Sequence, residues 1–158
     1  MKILITGGTG LIGRALIDAL LADGHEINIL TRNPEKARDT LPSGVLPFQW
    51  DGRSAEGWSH LIPDMDAVIN LAGESIAGES LVDILTKRWN DDSKKRIQQS
   101  RVKIGNALVA AIEKSEKKPS VFIQSSAVGY YGPGGDAEIP ENTPAGKGFL
   151  SETCRIWE

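Results

Sequence analysis

Three groups of residues in this 158-residue chain have types and spacings that could do chemistry. The first is Thr6-Gly7-Gly8-Thr9-Gly10-Leu11-Ile12-Gly13, between the apolar run Ile3-Leu4-Ile5 and the amphipathic stretch Ala15–Leu21. A glycine turn that joins a strand to a helix can hold a pyrophosphate. Gly7 would let the chain turn tightly off the strand. Gly10, lacking a Cβ, would let a pyrophosphate approach the backbone, and Gly13 would let the helix pack close to the strand. The free N–H groups at the helix start, at Leu11, Ile12 and Gly13, would face the phosphates with the positive end of the helix dipole. The alternative is a structural tight turn.

The second group lies about 20 residues past the glycines, where such a unit meets an adenosine ribose. An Asp or Glu there would accept from the 2′-hydroxyl and favour NAD(H). This chain offers Thr31-Arg32 and no acid from 30 to 33. A guanidinium pairs with a 2′-phosphate through two parallel hydrogen bonds, which an acid would oppose. The expected cofactor is therefore NADP(H) rather than NAD(H), the alternative being a solvated loop arginine. Asp51 follows the third strand, where it could accept from an adenine amino group or form a turn before Gly52.

The third group closes the fourth and fifth strands. Leu71-Ala72-Gly73 offers small residues under a ribose or nicotinamide, and Glu74 follows toward the same edge. Ser125-Ser126 ends the fifth strand, and Tyr130-Tyr131 lies just beyond. Ser126 could hydrogen-bond a substrate oxygen and Tyr130 could move a proton. Strand-end capping and loop packing are the alternatives.

These residues need elements to position them. Strand patterns at Lys2–Thr6, Glu26–Thr31, Val45–Trp50, Ala67–Leu71 and Pro119–Ser126 alternate with helical ones. Alternation of this kind predicts an α/β protein, a Rossmann-type doubly wound parallel sheet in one domain over 1–158. Helices are expected over Gly10–Ala22, from Asn33-Pro34-Glu35, within Leu81–Lys114, and over Phe149–Glu158. Gly24 suits a helix C′ position, and Asn33 with Pro34 suits a helix start. Gly129–Gly148 reads as a loop and Pro63–Asp66 as a turn. The chain stops at Trp157-Glu158 inside a helical pattern, so it reads as the N-terminal part of a doubly wound sheet, cut before the last strands.

Composition narrows the function classes. Net charge is −3, from 18 basic and 21 acidic residues, so no basic field recruits nucleic acid. The single cysteine, Cys154, excludes an intrachain disulfide and suits a reducing cytoplasm. No apolar run nears the ~20 residues of a membrane span, and the N-terminus is a strand rather than a signal peptide. Two histidines and one cysteine are too few for a zinc site. The four tryptophans, at 50, 58, 89 and 157, read as core or pocket walls. The charged cluster 91–96 reads as a solvated helix face, while Arg101 and Lys103 could reach toward phosphates.

Together these landmarks resemble the short-chain dehydrogenase/reductase superfamily, on its epimerase/dehydratase side. Thr6–Gly13 matches the Thr-Gly-x-x-Gly-x-x-Gly of that branch. Asn70–Glu74 with Ile76-Ala77-Gly78, Arg88-Trp89, Ser100-Arg101-Val102 and Ser126–Gly132 resemble its atypical "epimerase family protein" subgroup over the whole chain. Members are about twice this long, so the resemblance implies that the substrate-binding part lies beyond residue 158. It also implies a small-molecule substrate, a nucleotide-sugar among the options, with oligomeric state open and a homodimer among the assemblies. The superfamily's usual Tyr-x-x-x-Lys pair falls on Leu150 and Cys154, which cannot exchange a proton in that way. The supporting helical asparagine falls on Arg101, and Ser126 matches the catalytic serine. Two functions stay open: an NADP(H)-dependent epimerase, dehydratase or reductase, or a catalytically silent NADP(H) sensor.

Overall fold

The computed structural model describes residues 1–74, 90–133 and 135–158. The motifs Ile76-Ala77-Gly78 and Arg88-Trp89 lie outside the described residues. Strands β1 (Lys2–Thr6), β2 (Glu26–Thr31), β3 (Val45–Gln49), β4 (Ala67–Asn70) and β5 (Val121–Gln124) form one parallel sheet in the order β3-β2-β1-β4-β5. The described helices are α1 (Leu11–Ala22), α2 (Pro34–Thr40), α3 (Asp91–Lys114) and α4 (Phe149–Trp157). The order reverses between β1 and β4, the switch point where open α/β sheets bind ligands at the carboxyl ends of their strands.

The chain divides into two compact units: Met1–Gly73 with Lys103–Ser125, and Glu74–Val102 with Ser126–Glu158. The first holds the sheet. Alternation along its strands fills both faces. Ile3, Ile5, Ile27, Ile29 and Ile69 bury with Ile17 of α1 and Ala37 of α2. Leu4, Leu30 and Val68 bury on the other face with Trp50, Trp58, Ile62, Ile104 and Leu108. A parallel sheet covered on both faces needs near-continuous apolar strands, and each such side chain contributes about 1.5–3 kcal/mol. Trp50 and Trp58 are core, ring edge to face at 5.7 Å, and both indole N–H groups donate to the Ser54 carbonyl.

Local chemistry sets the ends of these elements. Gly24 takes φ +78° after α1 and donates to Leu21 O, while His25 N donates to Leu20 O. Asn33 Oδ1 accepts from Lys36 N at 3.0 Å and Pro34 opens α2. Pro47, which has no N–H, is tolerated because β3 is an edge strand. A 3₁₀ helix over Ser59–Asp64, which buries Ile62, runs into the turn expected at Pro63–Asp66 before β4. At the other edge, Val121, Phe122 and Ile123 of β5 stay partly exposed.

The second unit is organised by the start of α3 and by α4. Asn90 Oδ1 accepts from Ser93 N at 2.8 Å and caps α3. The segment expected as plain loop begins with a 3₁₀ turn over Val128–Tyr130. Its carbonyl at Tyr130 accepts from Gly146 N at 2.9 Å. A Cβ on Gly146 would sit on the Tyr131 carbonyl, 2.5 Å from its carbon. Only glycine fits there. No described helix is long and apolar enough to cross a membrane.

Candidate functional site

The glycine turn is built from backbone. Gly7 takes φ +73°, and a Cβ there would lie 2.7 Å from the Leu71 carbonyl carbon. A Cβ on Gly13 would strike the Gly7 carbonyl and lie 2.6 Å from Gly8 Cα. The turn closes through Gly10 N, which donates to Gly7 O at 3.0 Å. Gly10 is also the N-cap of α1 and supplies no side-chain cap. The first N–H groups of a helix have no intrahelical acceptor, so this end is free to take an anion. Leu11 and Ile12 stand exposed over it, and Gly13 is buried.

A polar chain ties the strand ends beneath this turn. Thr6 Oγ1 donates to Asn70 Oδ1, and Asn70 Nδ2 donates to Gln124 Oε1 at 2.8 Å. Ala72 N donates to both Thr6 Oγ1 and Asn70 Oδ1. Thr6 and Asn70 are fully buried, so every bond left unmade would cost the desolvation of its group. The network fixes the backbone at Leu71-Ala72-Gly73. Ser125 continues the ladder by donating its N–H to Asn70 O at 3.0 Å. Gln124 is a member that sequence reading missed, because nothing local marks a strand-end glutamine as a network partner.

Thr31 and Arg32 end β2. Thr31 Oγ1 accepts from Asn33 N, and Arg32 is exposed. Arg32, Asn33, Glu35, Arg38, Phe48 and Gln49 line an open depression of about 500 Å³. Its two guanidinium-bearing residues suit an anion. Asp51 spends its carboxylate locally: Oδ1 accepts from Arg53 N and Ser54 N, and Oδ2 from Ser54 Oγ. Those backbone donors, Ser54 first, hold the carboxyl below the usual aspartate range. Asp51 therefore holds the turn through Arg53 and Ser54.

The second unit carries the other candidates. Glu74 N donates to Ser100 Oγ, and its carboxylate lies 3.6 Å from Arg96 Nε. Arg101 does not reach outward toward phosphates. It is buried, donates to Ile97 O at 3.0 Å and lies over the Trp157 ring at 5.2 Å. Burial pushes its guanidinium below the usual arginine range. Tyr130 sits in the 3₁₀ turn, its ring edge to face with Tyr131 at 5.1 Å. Ser126 Oγ donates to Glu158 Oε1. Sequence reading missed Glu158, although its place four residues after Cys154 puts both on one face of α4.

Residues 3–153 match the model of the NAD dependent epimerase/dehydratase family. The chain belongs to this family. It is 38% identical to the epimerase family protein SDR39U1 homolog, chloroplastic, of Arabidopsis thaliana, over all of this chain and 43% of that protein. It superimposes on the crystal structure of human epimerase family protein SDR39U1 (isoform2) with NADPH at TM-score 0.78 and 34% identity. That match covers 99% of this chain and 47% of the human one. A nucleoside-diphosphate sugar epimerase from Corynebacterium glutamicum matches at TM-score 0.73 and 32% identity, over 99% of this chain and 29% of that one. The chain spans about half the length of the curated relatives it matches. The parallel five-stranded Rossmann-type sheet expected from the sequence is the fold observed.

Proposed function

We propose that this chain binds NADP(H) along the carboxyl ends of β1, β2 and β4 and forms the nucleotide-binding part of an epimerase/dehydratase-type oxidoreductase. The observation that carries this reading is the glycine turn. Two Cβ positions are closed by backbone and the helix start beside them is uncapped. Those features suit a pyrophosphate, and the human relative whose structure holds NADPH shares the fold over nearly all of this chain.

In this reading the N–H groups at Leu11, Ile12 and Gly13 bind the pyrophosphate. Arg32 pairs with the 2′-phosphate, and Thr31 lies beside it. Leu71, Ala72 and Gly73 pass under the ribose and nicotinamide, held there by Thr6 and Asn70, with Ser125 at the next strand end. Bound nicotinamide would supply a hydride donor or acceptor at a carbonyl or hydroxyl carbon. Ser126 would hold the substrate oxygen, and Tyr130 lies four residues on. The substrate class carried over from the Corynebacterium relative is a nucleotide-sugar. A homodimer and a cytoplasmic setting belong to the same proposal.

A second reading is a silent NADP(H)-binding regulatory module. It is favoured because Leu and Cys stand at 150 and 154, where the resemblance to the short-chain dehydrogenase/reductase superfamily implies its Tyr-x-x-x-Lys pair. The first experiment is a titration with NADPH and NADH, followed by nicotinamide fluorescence, on the wild-type chain and Arg32→Ala. The wild type is expected to prefer NADPH. A charge-assisted pair worth about 1.5–3 kcal/mol predicts a roughly 10–100-fold loss of NADPH affinity in Arg32→Ala, with NADH unchanged. Equal affinities in the wild type would remove the Arg32 assignment. No binding of either by the folded chain would remove the whole reading.

A further inference from the structure

Leu150 and Cys154 of α4 and Glu158, which caps it, are spaced four apart and follow one face. Each meets the segment after β5, in reverse order. Leu150 packs on Gly129, where an added Cβ would lie 3.1 Å from Leu150 Cβ. The Cys154 thiol donates to Ala127 O at 3.8 Å, and Glu158 accepts from Ser126 Oγ. Glu158 is held at the helix end by its own N–H, which donates to Cys154 O at 2.9 Å. On this face Leu150 carries no proton and Cys154 is 3% exposed. Ser126 is exposed, and its hydroxyl is bonded to the Glu158 carboxylate.

We propose that Ser126 and Glu158 form the proton-handling pair of this site. The proposal rests on the oxidoreductase reading above. In the oxidative direction a substrate hydroxyl donates its proton to Ser126 Oγ as Ser126 passes its own to Glu158. The O–H and C–H bonds of the substrate carbinol break and the C=O bond forms. The C–H electron pair leaves as hydride to the oxidised nicotinamide, and the proton remains on Glu158. Reduction of a carbonyl runs the same transfers backward. Glu158 acts through Ser126 and is a positioning residue, while Ser126 is the group that touches substrate.

The charged and titratable surroundings are few among the described residues. Cys154 lies one turn back on α4, and burial, then the charge of Glu158, pushes its thiol up. Arg101 of α3 faces that thiol, Glu74 faces Arg101, and Arg96 pairs with Glu74. Arg155 is held by Glu152 at 3.0 Å. Tyr130 and Tyr131 stand on the 3₁₀ turn.

The test uses the full chain, its Glu158→Gln, Ser126→Ala and double variants, NADPH, and phenanthrenequinone as the carbonyl probe. Three readouts are taken: NADPH affinity, the pH profile of probe reduction, and the pH profile of Cys154 alkylation by iodoacetamide. NADPH affinity should stay at the wild-type level in every variant. The wild-type reduction rate should fall as pH rises, since the pair must deliver a proton. Each single variant should lose about 100-fold or more together with that limb, and the double variant should be no worse, as one relay is cut once. In Glu158→Gln the alkylation profile should move to lower pH, because a charge that holds the thiol up is gone. Reduction at the wild-type rate by Glu158→Gln, multiplicative losses in the double variant, or an unmoved alkylation profile would each overturn the pair. So would NADPH binding without any wild-type reduction. Absence of NADPH binding would instead overturn the reading on which the pair rests.

Discussion

The two units hold their candidate chemistry by different means. In the first, the site is backbone: a turn with no room for two Cβ atoms, an uncapped helix start, and a buried polar chain beneath. In the second, it is side chains: Ser126 after β5 with Glu158 after α4, and Glu74 with Arg96 of α3. A backbone site tolerates almost no change at its glycines. A side-chain site can exchange its working groups while its frame stays.

The sharpest way to break this comparison is a pair of glycine substitutions, one in each unit. Gly13→Ala places its Cβ against the Gly7 carbonyl and 2.6 Å from Gly8 Cα. Both are main-chain atoms that cannot swing aside. The expected cost is on the order of 3 kcal/mol by urea unfolding, with loss of NADPH binding. Gly146→Ala meets the Tyr131 main chain just as tightly. It should displace the Tyr130–Gly132 turn and abolish probe reduction while leaving NADPH affinity intact. If Gly146→Ala weakened NADPH as much as Gly13→Ala does, the division of labour between the units would be wrong.

That contrast also explains what could be read from the sequence. Gly7, Gly10 and Gly13 are legible because they fall at a regular spacing between one strand and one helix, although the backbone that closes on Gly7 is that of Leu71, far along the chain. The sheet was legible because the strands buried on both faces are short apolar runs and Gly24, Asn33 and Pro34 mark their helices where they occur. Long-range pairings left no such mark. Gln124 meets Asn70 across 54 positions and Ser126 meets Glu158 across 32. Asp51 can be read two ways because a carboxylate before a glycine suits both a turn and a ligand, and the turn shows only in the hydrogen bonds from Arg53 and Ser54. Arg101 looked available for phosphates because its sequence neighbours are polar. Its burial comes from Trp157, far along the chain.

A smaller effect should separate buried from exposed polar contacts. Thr6→Val keeps the shape of the side chain and removes the hydroxyl. Asn70 Oδ1 then loses its Thr6 donor, and Ala72 N loses one of its two acceptors. Both changes fall in a fully buried site, so a loss of about 1–3 kcal/mol is expected in urea unfolding. A neutral result would mean that the Leu71–Gly73 backbone is held by the strand ladder alone.

The least effect is expected at the ion pair of the second unit. Arg96 and Glu74 approach to 3.6 Å with side chains 57% and 38% exposed. At that exposure water and salt screen most of the attraction, and holding two long side chains together costs entropy. Arg96→Ala should therefore shift stability by less than about 1 kcal/mol. The main chain at Glu74 is tied separately, by its N–H donating to Ser100 Oγ, so freeing the carboxylate should not move the backbone. A loss well above 1 kcal/mol would mean that the pair frames this unit as the Thr6–Asn70 network frames the other. The two regions would then differ less in how they are held than their hydrogen bonds indicate.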